Sequence, residues 1–282
     1  MLTPTAALVA DAAARGAGIG AFNVVTLEHA EAIVTGAEQA ALPVILQVSE
    51  NTVRFHGRLA PIAAAARAVA AESTVPVALH LDHITDPDLI AQAGPCGFSS
   101  IMYDASTLSY VDNVAATAAA VRKCRRAGLW MESELGAVGG KGGAHTPGVR
   151  TDPAEAASYV AATGVDALAV AVGSQHAMTT RSASLDHDLI ARLRTAVPVP
   201  LVLHGSSGVP DPELLAAVQG GLVKINIGTA LNLAYVRAIR AELTPTTSDP
   251  RTFLAPARTA MAGTVAHLLR LLATPAVGQP HP

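Results

Sequence analysis

Short runs rich in β-branched residues alternate with Ala-rich helical stretches along the chain, and this alternation restricts its possible folds more than any other feature. Eight runs are predicted as strands: Gly18–Asn23, Val44–Ser49, Val77–Leu81, Ser99–Tyr103, Leu129–Glu134, Ala167–Val172, Leu201–His204 and Val223–Ile227. Helical patterns between them include Leu27–Ala40, Ile62–Ala71, Asp112–Ala127, Pro153–Thr163, Asp186–Ala196 and Pro212–Gln219. This order predicts an α/β fold, a single (β/α)8 TIM barrel, which typically takes about 250 residues. An open doubly wound sheet is the alternative, but no GxGxxG follows the first strand.

We expect one domain over residues 1–282, because the strand and helix signals continue without a linker between two cores. The Gly-rich segment at about 136–150 is too long for an ordinary connection, so it is predicted to be a mobile active-site loop. The Pro- and Gly-rich tail at about 273–282 is expected to fray.

Composition excludes several classes of function. The net charge is −3 and no basic run is present, which argues against nucleic-acid binding. No apolar run approaches the roughly 20 residues of a membrane helix, and we expect no signal peptide. The two cysteines form neither a disulfide framework nor a CxxC motif, so we expect a cytoplasmic protein whose zinc ligands, if any, are His and carboxylates.

Nearly every predicted strand delivers a polar side chain to its carboxyl end, where barrels of this kind hold their chemistry. These residues are Asn23, Ser49, Asp82 with His83, Asp104, Glu132 with Glu134, His176, His204 and Asn226. Three are histidines on different strands, and three imidazoles at one rim suit a zinc site with an open position. For any one of them, a hydrogen-bonded structural role is the alternative. His80 is predicted to pack or to support the site, and the others within the barrel region are expected to be solvated: His29, His56, His187 and His267.

Asp82 directly precedes His83, and neighbouring residues on a strand point to opposite sides. A bend at the strand end is therefore needed to bring both to the site. A carboxylate beside a metal can transfer protons, although Asp82 could instead orient an imidazole. The turns at 205–208 and 226–229 follow the seventh and eighth strands, where this fold commonly binds phosphate.

Seven motifs, taken together and in order, resemble the class II fructose-/tagatose-bisphosphate aldolases. They are Ala21–Val24, His80–His83, Gly97–Asp104, Glu132–Gly136, Gly164–Val170, Leu203–Gly208 and Lys224–Ile227. The match runs from about Leu2 to Arg251, and the HLDH and HGSSG pieces are its most specific parts.

The resemblance implies a role for each matching residue. The zinc ligands would be His83, His176 and His204, with Glu134 as a possible alternative ligand. Asp82 would protonate the aldehyde oxygen during condensation. The substrate and phosphate contacts would be Asn23, Ser49, Gly205, Ser206, Ser207, Asn226, Gly228, Thr229 and the backbone of Ala177.

The resemblance also implies an activity, cofactors and partners. The expected reaction is reversible aldol cleavage of a ketose (bis)phosphate to dihydroxyacetone phosphate and an aldehyde. Zn²⁺ would polarise the ketone, although His ligands also accept cobalt, manganese or iron. A monovalent cation (Na⁺ or K⁺) near the phosphate and a homodimer or homotetramer are further expectations. An arginine from a neighbouring subunit, Arg251 or Arg258, could bind a second phosphate, whereas a Schiff-base role for Lys224 is disfavoured because the metal-dependent family shares its motif.

The sequence departs from the family at three points. Gly142 stands where the family usually has its proton-abstracting Glu, and His145 in the same segment is a candidate substitute. Ala177 replaces the usual Gly, and Ala230 stands where an acid often follows the threonine. These changes suggest a non-glycolytic aldehyde. Two alternatives stay open: a catalytically impaired sugar-phosphate-binding relative, and another zinc-dependent barrel chemistry such as hydrolysis, against which the absence of HxH argues.

Overall fold

The computed structural model describes residues 1–135 and 149–275, and eight parallel strands in them close into a barrel in the order of the chain. The strands are β1 (Ile19–Asn23), β2 (Val44–Ser49), β3 (Val77–Ile84), β4 (Ser100–Tyr103), β5 (Trp130–Leu135), β6 (Ala167–Val170), β7 (Leu201–Leu203) and β8 (Leu222–Ile227). β8 pairs with β1 and closes the ring. The predicted (β/α)8 barrel is thus confirmed, and all eight predicted strands are present with bounds shifted by a few residues.

The helices of the described residues are α1 (Thr5–Ala14), α2 (Leu27–Ala40), α3 (Glu50–His56), α4 (Leu59–Glu72), α5 (Asp88–Ala93), α6 (Tyr110–Arg126), α7 (Pro153–Thr163), α8 (His187–Ala196), α9 (Asp211–Gly220), α10 (Thr229–Glu242) and α11 (Arg251–Leu272). The predicted bounds of α2 and α7 match residue for residue. Most of the loop predicted at 136–150, and the end of the tail predicted to fray, lie outside the described residues. In the described residues no helix combines the length and apolar character needed to cross a membrane.

Local sequence explains the sharp bounds of α7. Asp152 caps its start, because its Oδ1 accepts hydrogen bonds from the backbone N–H groups of Ala154 and Glu155 at 2.9 Å. Pro153 occupies the first helical position, where a missing N–H costs nothing. Gly164 ends the helix with φ 71°, a conformation that glycine adopts without strain.

The strands have two different faces. Outward residues such as Phe22, Leu46 and Leu81 join the large core between the barrel and its helices. Inward residues of β1, β2, β3 and β8 join one face of α1 in a smaller apolar cluster at the amino end of the barrel: Leu8, Val9, Ala12, Ile19, Ala21, Ile45, Ala78 and Val223. Above it the barrel interior turns polar, which positions chemical groups toward the carboxyl ends.

The end of β3 contains the predicted bend. Pairing with β4 shifts register between Leu81 and Ile84, and His83 adopts φ 50° in the left-handed region. The bend turns Asp82 and His83 toward the same cavity, as both residues line it. One expectation about the histidines was wrong: His29 is buried, because its ring nitrogens contact Thr26 and Asn232 between α2 and α10.

Candidate active site

A cavity of about 670 Å³ opens at the carboxyl ends of the strands, and most residues predicted for the site lie on its wall. The predicted residues that line it are Asn23, Ser49, Asp82, His83, His176, Ala177, Gly205, Ser207, Asn226, Gly228 and Thr229. His204 and Glu134 are buried beside this wall. Gly142 and His145 lie outside the described residues.

Three imidazoles meet at one point of the cavity. His83 is the penultimate residue of β3, His176 lies in the segment after β6, and His204 follows β7. Their ring centroids are 4.8–5.9 Å apart, and one nitrogen from each ring lies within 4.8 Å of the other two. A set of three imidazoles with room beside it fits a divalent metal that keeps a position open for a further ligand.

Carboxylates orient two of these imidazoles. Asp104 Oδ2 lies 2.8 Å from His83 Nδ1. Glu134 Oε2 lies 2.9 Å from His204 Nδ1, and Glu132 Oε1 lies 2.8 Å from His204 Nε2. Such contacts hold the rings of metal-binding histidines in a fixed orientation. A second group that could hold a metal consists of His83, Asp104 and Glu134.

Below the imidazoles lies a buried ion pair that sequence reasoning did not predict. Lys224 Nζ is 2.8 Å from Glu132 Oε2 and donates to Asn226 Oδ1 at 2.7 Å. Lys224, Glu132 and His204 are all fully buried. The signal was present as a charged residue in the interior of each of two predicted strands. The lysine is therefore engaged in holding a carboxylate and an amide.

These contacts shift the ionisation of the buried groups. Burial raises the pKa of Glu132, but Lys224 and His204 outweigh it and bring the pKa well below its usual range. For His204, burial lowers the pKa, but the hydrogen bonds to Glu132 and Glu134 raise it to about 9. Burial lowers the pKa of His80 to about 3, so this ring is neutral at physiological pH.

Asp82 is an ionised carboxylate at the edge of this cluster. Burial alone would raise its pKa, but His83, Lys224 and His204 lower it overall. Its Oδ2 lies 4.0 Å from His83 Nε2, and its Oδ1 accepts from Asn226 Nδ2 at 3.5 Å. Asp82 thus stands next to the three imidazoles without occupying their shared point.

The turns that follow β7 and β8 form another part of the cavity wall. Gly205 has φ 66°, and a Cβ there would lie 2.6 Å from the backbone of Gln175, so only glycine fits. Gly228 and Thr229 form the start of the 14-residue helix α10. Ser207 Oγ accepts from the backbone N–H of Ala230 at 3.1 Å. Backbone N–H groups at a helix start attract anions, so this part of the wall suits a phosphate.

Two predicted phosphate contacts, Ser206 and Ala177, have local geometry that bears on their roles. The Ser206 hydroxyl donates to the carbonyl of Asn226, so this side chain ties the two turns together and does not line the cavity. Ala177 lines the cavity with φ 60°, a left-handed conformation that is costly for a residue with a Cβ.

Neither arginine predicted for a second phosphate lines the cavity of its own chain. Arg251 is highly exposed and pairs with Asp249, whereas Arg258 pairs with Glu31. Sequence reasoning also missed Gln47, whose Nε2 donates to Asn23 Oδ1 at 2.6 Å and fixes that amide.

Comparisons with known proteins agree with this geometry. The family model for fructose-bisphosphate aldolase class-II matches residues 3–275. The chain is 37% identical over 262 residues to a Bacillus subtilis (strain 168) protein named "Probable fructose-bisphosphate aldolase", covering 91% of this chain and 92% of the relative. The chain belongs to the class II fructose-bisphosphate aldolase family. As a class II aldolase it is a lyase that breaks carbon–carbon bonds by aldol cleavage.

Solved structures are similar over nearly the whole length. The crystal structure of the YdjI aldolase from Escherichia coli K12 superposes with a TM-score of 0.85 at 32% identity, covering 96% of this chain and 97% of that one. A fructose-bisphosphate aldolase structure from Campylobacter jejuni has a TM-score of 0.79 at 24% identity, covering 96% of this chain and 95% of that one. The second likeness bears on the fold alone.

Proposed function

We propose that this class II aldolase is a metal-dependent enzyme that reversibly cleaves a ketose (bis)phosphate into dihydroxyacetone phosphate and an aldehyde. The observation that carries the proposal is the convergence of His83, His176 and His204 beside a phosphate-suited turn in one cavity. We further propose a homo-oligomer, with residues 1–282 forming one domain, that works in the cytoplasm.

The three imidazoles would hold the metal, with Zn²⁺ as the first candidate and Glu134 as an alternative ligand. Nitrogen donors also accept cobalt, manganese or iron. A divalent ion held there supplies Lewis acidity toward the carbonyl oxygen of a bound ketose phosphate. Asp104, Glu132 and Glu134 keep the imidazoles oriented for this purpose.

The phosphate of dihydroxyacetone phosphate would bind at the turns after β7 and β8. Gly205, Gly228 and Thr229 offer backbone and hydroxyl groups to this end of the cavity, and Ser207 lines it. A monovalent cation, Na⁺ or K⁺, would offset the charge of the phosphate there. Asn226, held by Lys224, would contact the dihydroxyacetone part, and Asn23 and Ser49 would contact the remainder.

Two proton transfers complete the reaction. In cleavage the ionised Asp82 would take the proton from the hydroxyl of the aldehyde-derived carbon, and in condensation it would return that proton to the aldehyde oxygen; its position beside the imidazoles at the cavity wall supports this role. The base that takes the proton from dihydroxyacetone phosphate is proposed to be His145. We choose His145 because it lies in the same segment as Gly142, which replaces the usual Glu of the family.

Hydrogen exchange tests the proposal without any assumption about the aldehyde. Metal-loaded protein is incubated with dihydroxyacetone phosphate in D₂O, and NMR follows loss of one hydroxymethyl hydrogen, with and without EDTA. We expect exchange that EDTA abolishes and that restored Zn²⁺ recovers. A His145→Ala variant should lose exchange, and unchanged exchange in that variant would remove His145 from the mechanism.

Absence of exchange in folded, metal-loaded protein would favour the impaired binding relative, because Gly142 leaves the usual base position without a titratable group. With exchange established, an aldehyde screen follows. We propose that the preferred aldehyde is non-glycolytic, since Ala177 and Ala230 both alter the phosphate end of the cavity relative to the family pattern.

A further inference from the structure

The carboxyl end of β3 carries two residues of the site on a bend. Asp82 and His83 are neighbours on this strand, yet both line the cavity. His83 reaches its position with φ 50°, a left-handed conformation that is costly for a residue with a Cβ. Such a conformation persists only where the surrounding structure holds it in place. The contacts that hold this bend therefore decide where the imidazole points.

On one side, β4 holds the bend. The backbone N–H of Asp104 donates to the carbonyl of Ile84 at 2.8 Å, and its carboxylate contacts the His83 ring. On the other side, the register of β2 with β3 ends at the pair Ser49 and Asp82. Because β2 gives way to α3 at that point, strand pairing with β2 does not hold the residues of β3 beyond Asp82.

A buried carboxylate holds the bend on the side of β2. Glu50 is the first residue of α3 and is only 5% exposed. It accepts hydrogen bonds from the backbone N–H groups of Thr85 and Asp86 at 2.5 and 3.1 Å, and from the Thr85 hydroxyl at 2.9 Å. Although Thr85 and Asp86 are themselves exposed, Glu50 anchors the turn that directly follows the bend.

The Glu50 carboxylate is ionised in this position. Burial raises its pKa, but the hydrogen bonds from Thr85 and Asp86 and the ion pair with Arg54 outweigh burial and lower the pKa overall. An ionised carboxylate is a stronger hydrogen-bond acceptor than a neutral amide, so it holds the backbone N–H groups firmly. Neither proton transfer of the proposed reaction uses Glu50, and its hydrogen bonds to the turn give this buried charge a role.

We propose that Glu50 is a positioning residue for the metal site, because it holds the bend of β3 so that His83 points at the position shared with His176 and His204. The inference rests on the proposed function, since it concerns how the same site takes up its metal. Glu50 acts through His83: neither group of described residues that could hold a metal includes it.

Metal affinity and metal geometry test this role on the full chain. Glu50→Gln removes the charge, whereas Glu50→Asp keeps the charge on a side chain one methylene shorter. Glu28→Gln is a matched control, because Glu28 also lies in the first turn of a helix that follows a strand but does not line the cavity. Competition with a chelator measures the Kd for Zn²⁺, visible absorption of the Co²⁺-loaded protein reports coordination geometry, and urea unfolding measures the stability of the metal-free protein.

We expect Glu50→Gln and Glu50→Asp each to raise the Kd for Zn²⁺ about 10-fold or more and to change the Co²⁺ spectrum. Gln presents an amide NH₂ group to one of the two backbone donors, and Asp falls short of both. Glu28→Gln should change neither quantity. Thr85→Val removes the hydroxyl donor and keeps the backbone N–H, so it should raise the Kd about threefold. This variant carries the test if the Glu50 variants do not fold.

A loss of Zn²⁺ affinity in Glu50→Gln but not in Glu50→Asp would overturn the inference, because Glu50 would then attract the cation by its charge alone. Reduced stability with unchanged Zn²⁺ affinity and an unchanged Co²⁺ spectrum would overturn it as well, since a purely structural role gives that result. Hydrogen exchange into dihydroxyacetone phosphate, measured on the same proteins, tests the proposed function separately. Absence of exchange from every metal-loaded protein would contradict that function, whereas the dependence of Zn²⁺ affinity on Glu50 would still be measurable.

Discussion

The buried lysine of β8 forms an ion pair with a buried carboxylate of β5. Lys224 meets the carboxylate of Glu132 at 2.8 Å, and the other oxygen of that carboxylate holds His204. Removing one member of a buried ion pair leaves the other charge uncompensated, which costs about 3–5 kcal/mol. Glu134 contacts the other ring nitrogen of His204 at 2.9 Å, so the two acids form a matched comparison.

We therefore expect Glu132→Gln to lower the free energy of unfolding by about 3–5 kcal/mol and to weaken metal binding about 10- to 100-fold. Glu134→Gln should weaken metal binding with a smaller loss of stability, since Lys224 keeps its carboxylate. Urea unfolding and competition with a metal chelator measure the two quantities. Equal destabilisation by both changes would contradict the role given to the lysine pair.

At the scale of whole elements, two alanines share an unusual conformation in very different places. Ala177 has φ 60° in the segment after β6 and lines the cavity, whereas Ala41 has φ 52° at the end of α2, away from it. A left-handed backbone costs a residue with a Cβ about 1 kcal/mol or more, and glycine avoids that cost. The same substitution at the two positions separates backbone strain from a functional effect.

Both Ala41→Gly and Ala177→Gly should raise the free energy of unfolding by about 0.5–1 kcal/mol. Only Ala177→Gly should also change the KM for dihydroxyacetone phosphate, by a few-fold, because its backbone lies at the phosphate end of the cavity. Thermal unfolding and steady-state kinetics measure the pair. A KM shift of the same size in Ala41→Gly would show that the effect spreads through the barrel and is not local.

Element prediction succeeded where periodic patterns met clear boundary signals. The cap at Asp152, Pro153 and Gly164 fixed both ends of α7. The last helix, α11, was not predicted, because Pro256 lies inside it and interrupts the usual helical pattern. The short α3 was missed as well, since seven residues give too few turns for periodicity to register.

At the scale of the molecule, eight predicted strands separated by helices were enough to predict a closed barrel. The carboxyl ends of those strands then showed where the polar site lies. Sequence could not show which side chains share a hydrogen bond across the barrel. Glu132 and Lys224 are 92 positions apart, and only their meeting in the interior reveals an ion pair.

A metal at three histidines from separate parts of the barrel should stabilise the whole molecule, and its effect should depend on pH. In the metal-free protein the pKa of His204 is raised to about 9, so the stabilisation from its protonated form is complete below pH 6.5. That contribution, of the order of 3 kcal/mol, is lost as the pH rises through 9.

Metal binding has the opposite pH dependence, because the metal requires an imidazole nitrogen without its proton. The difference in Tm between Zn²⁺-loaded and EDTA-treated protein should therefore widen from pH 6.5 to 9, as scanning calorimetry would show. His83→Ala should abolish the response to Zn²⁺ while keeping the metal-free pH slope, and His267→Gln, a surface control paired with Asp211, should keep both. A Tm difference that stays constant over this range would mean that the metal does not replace a proton on His204.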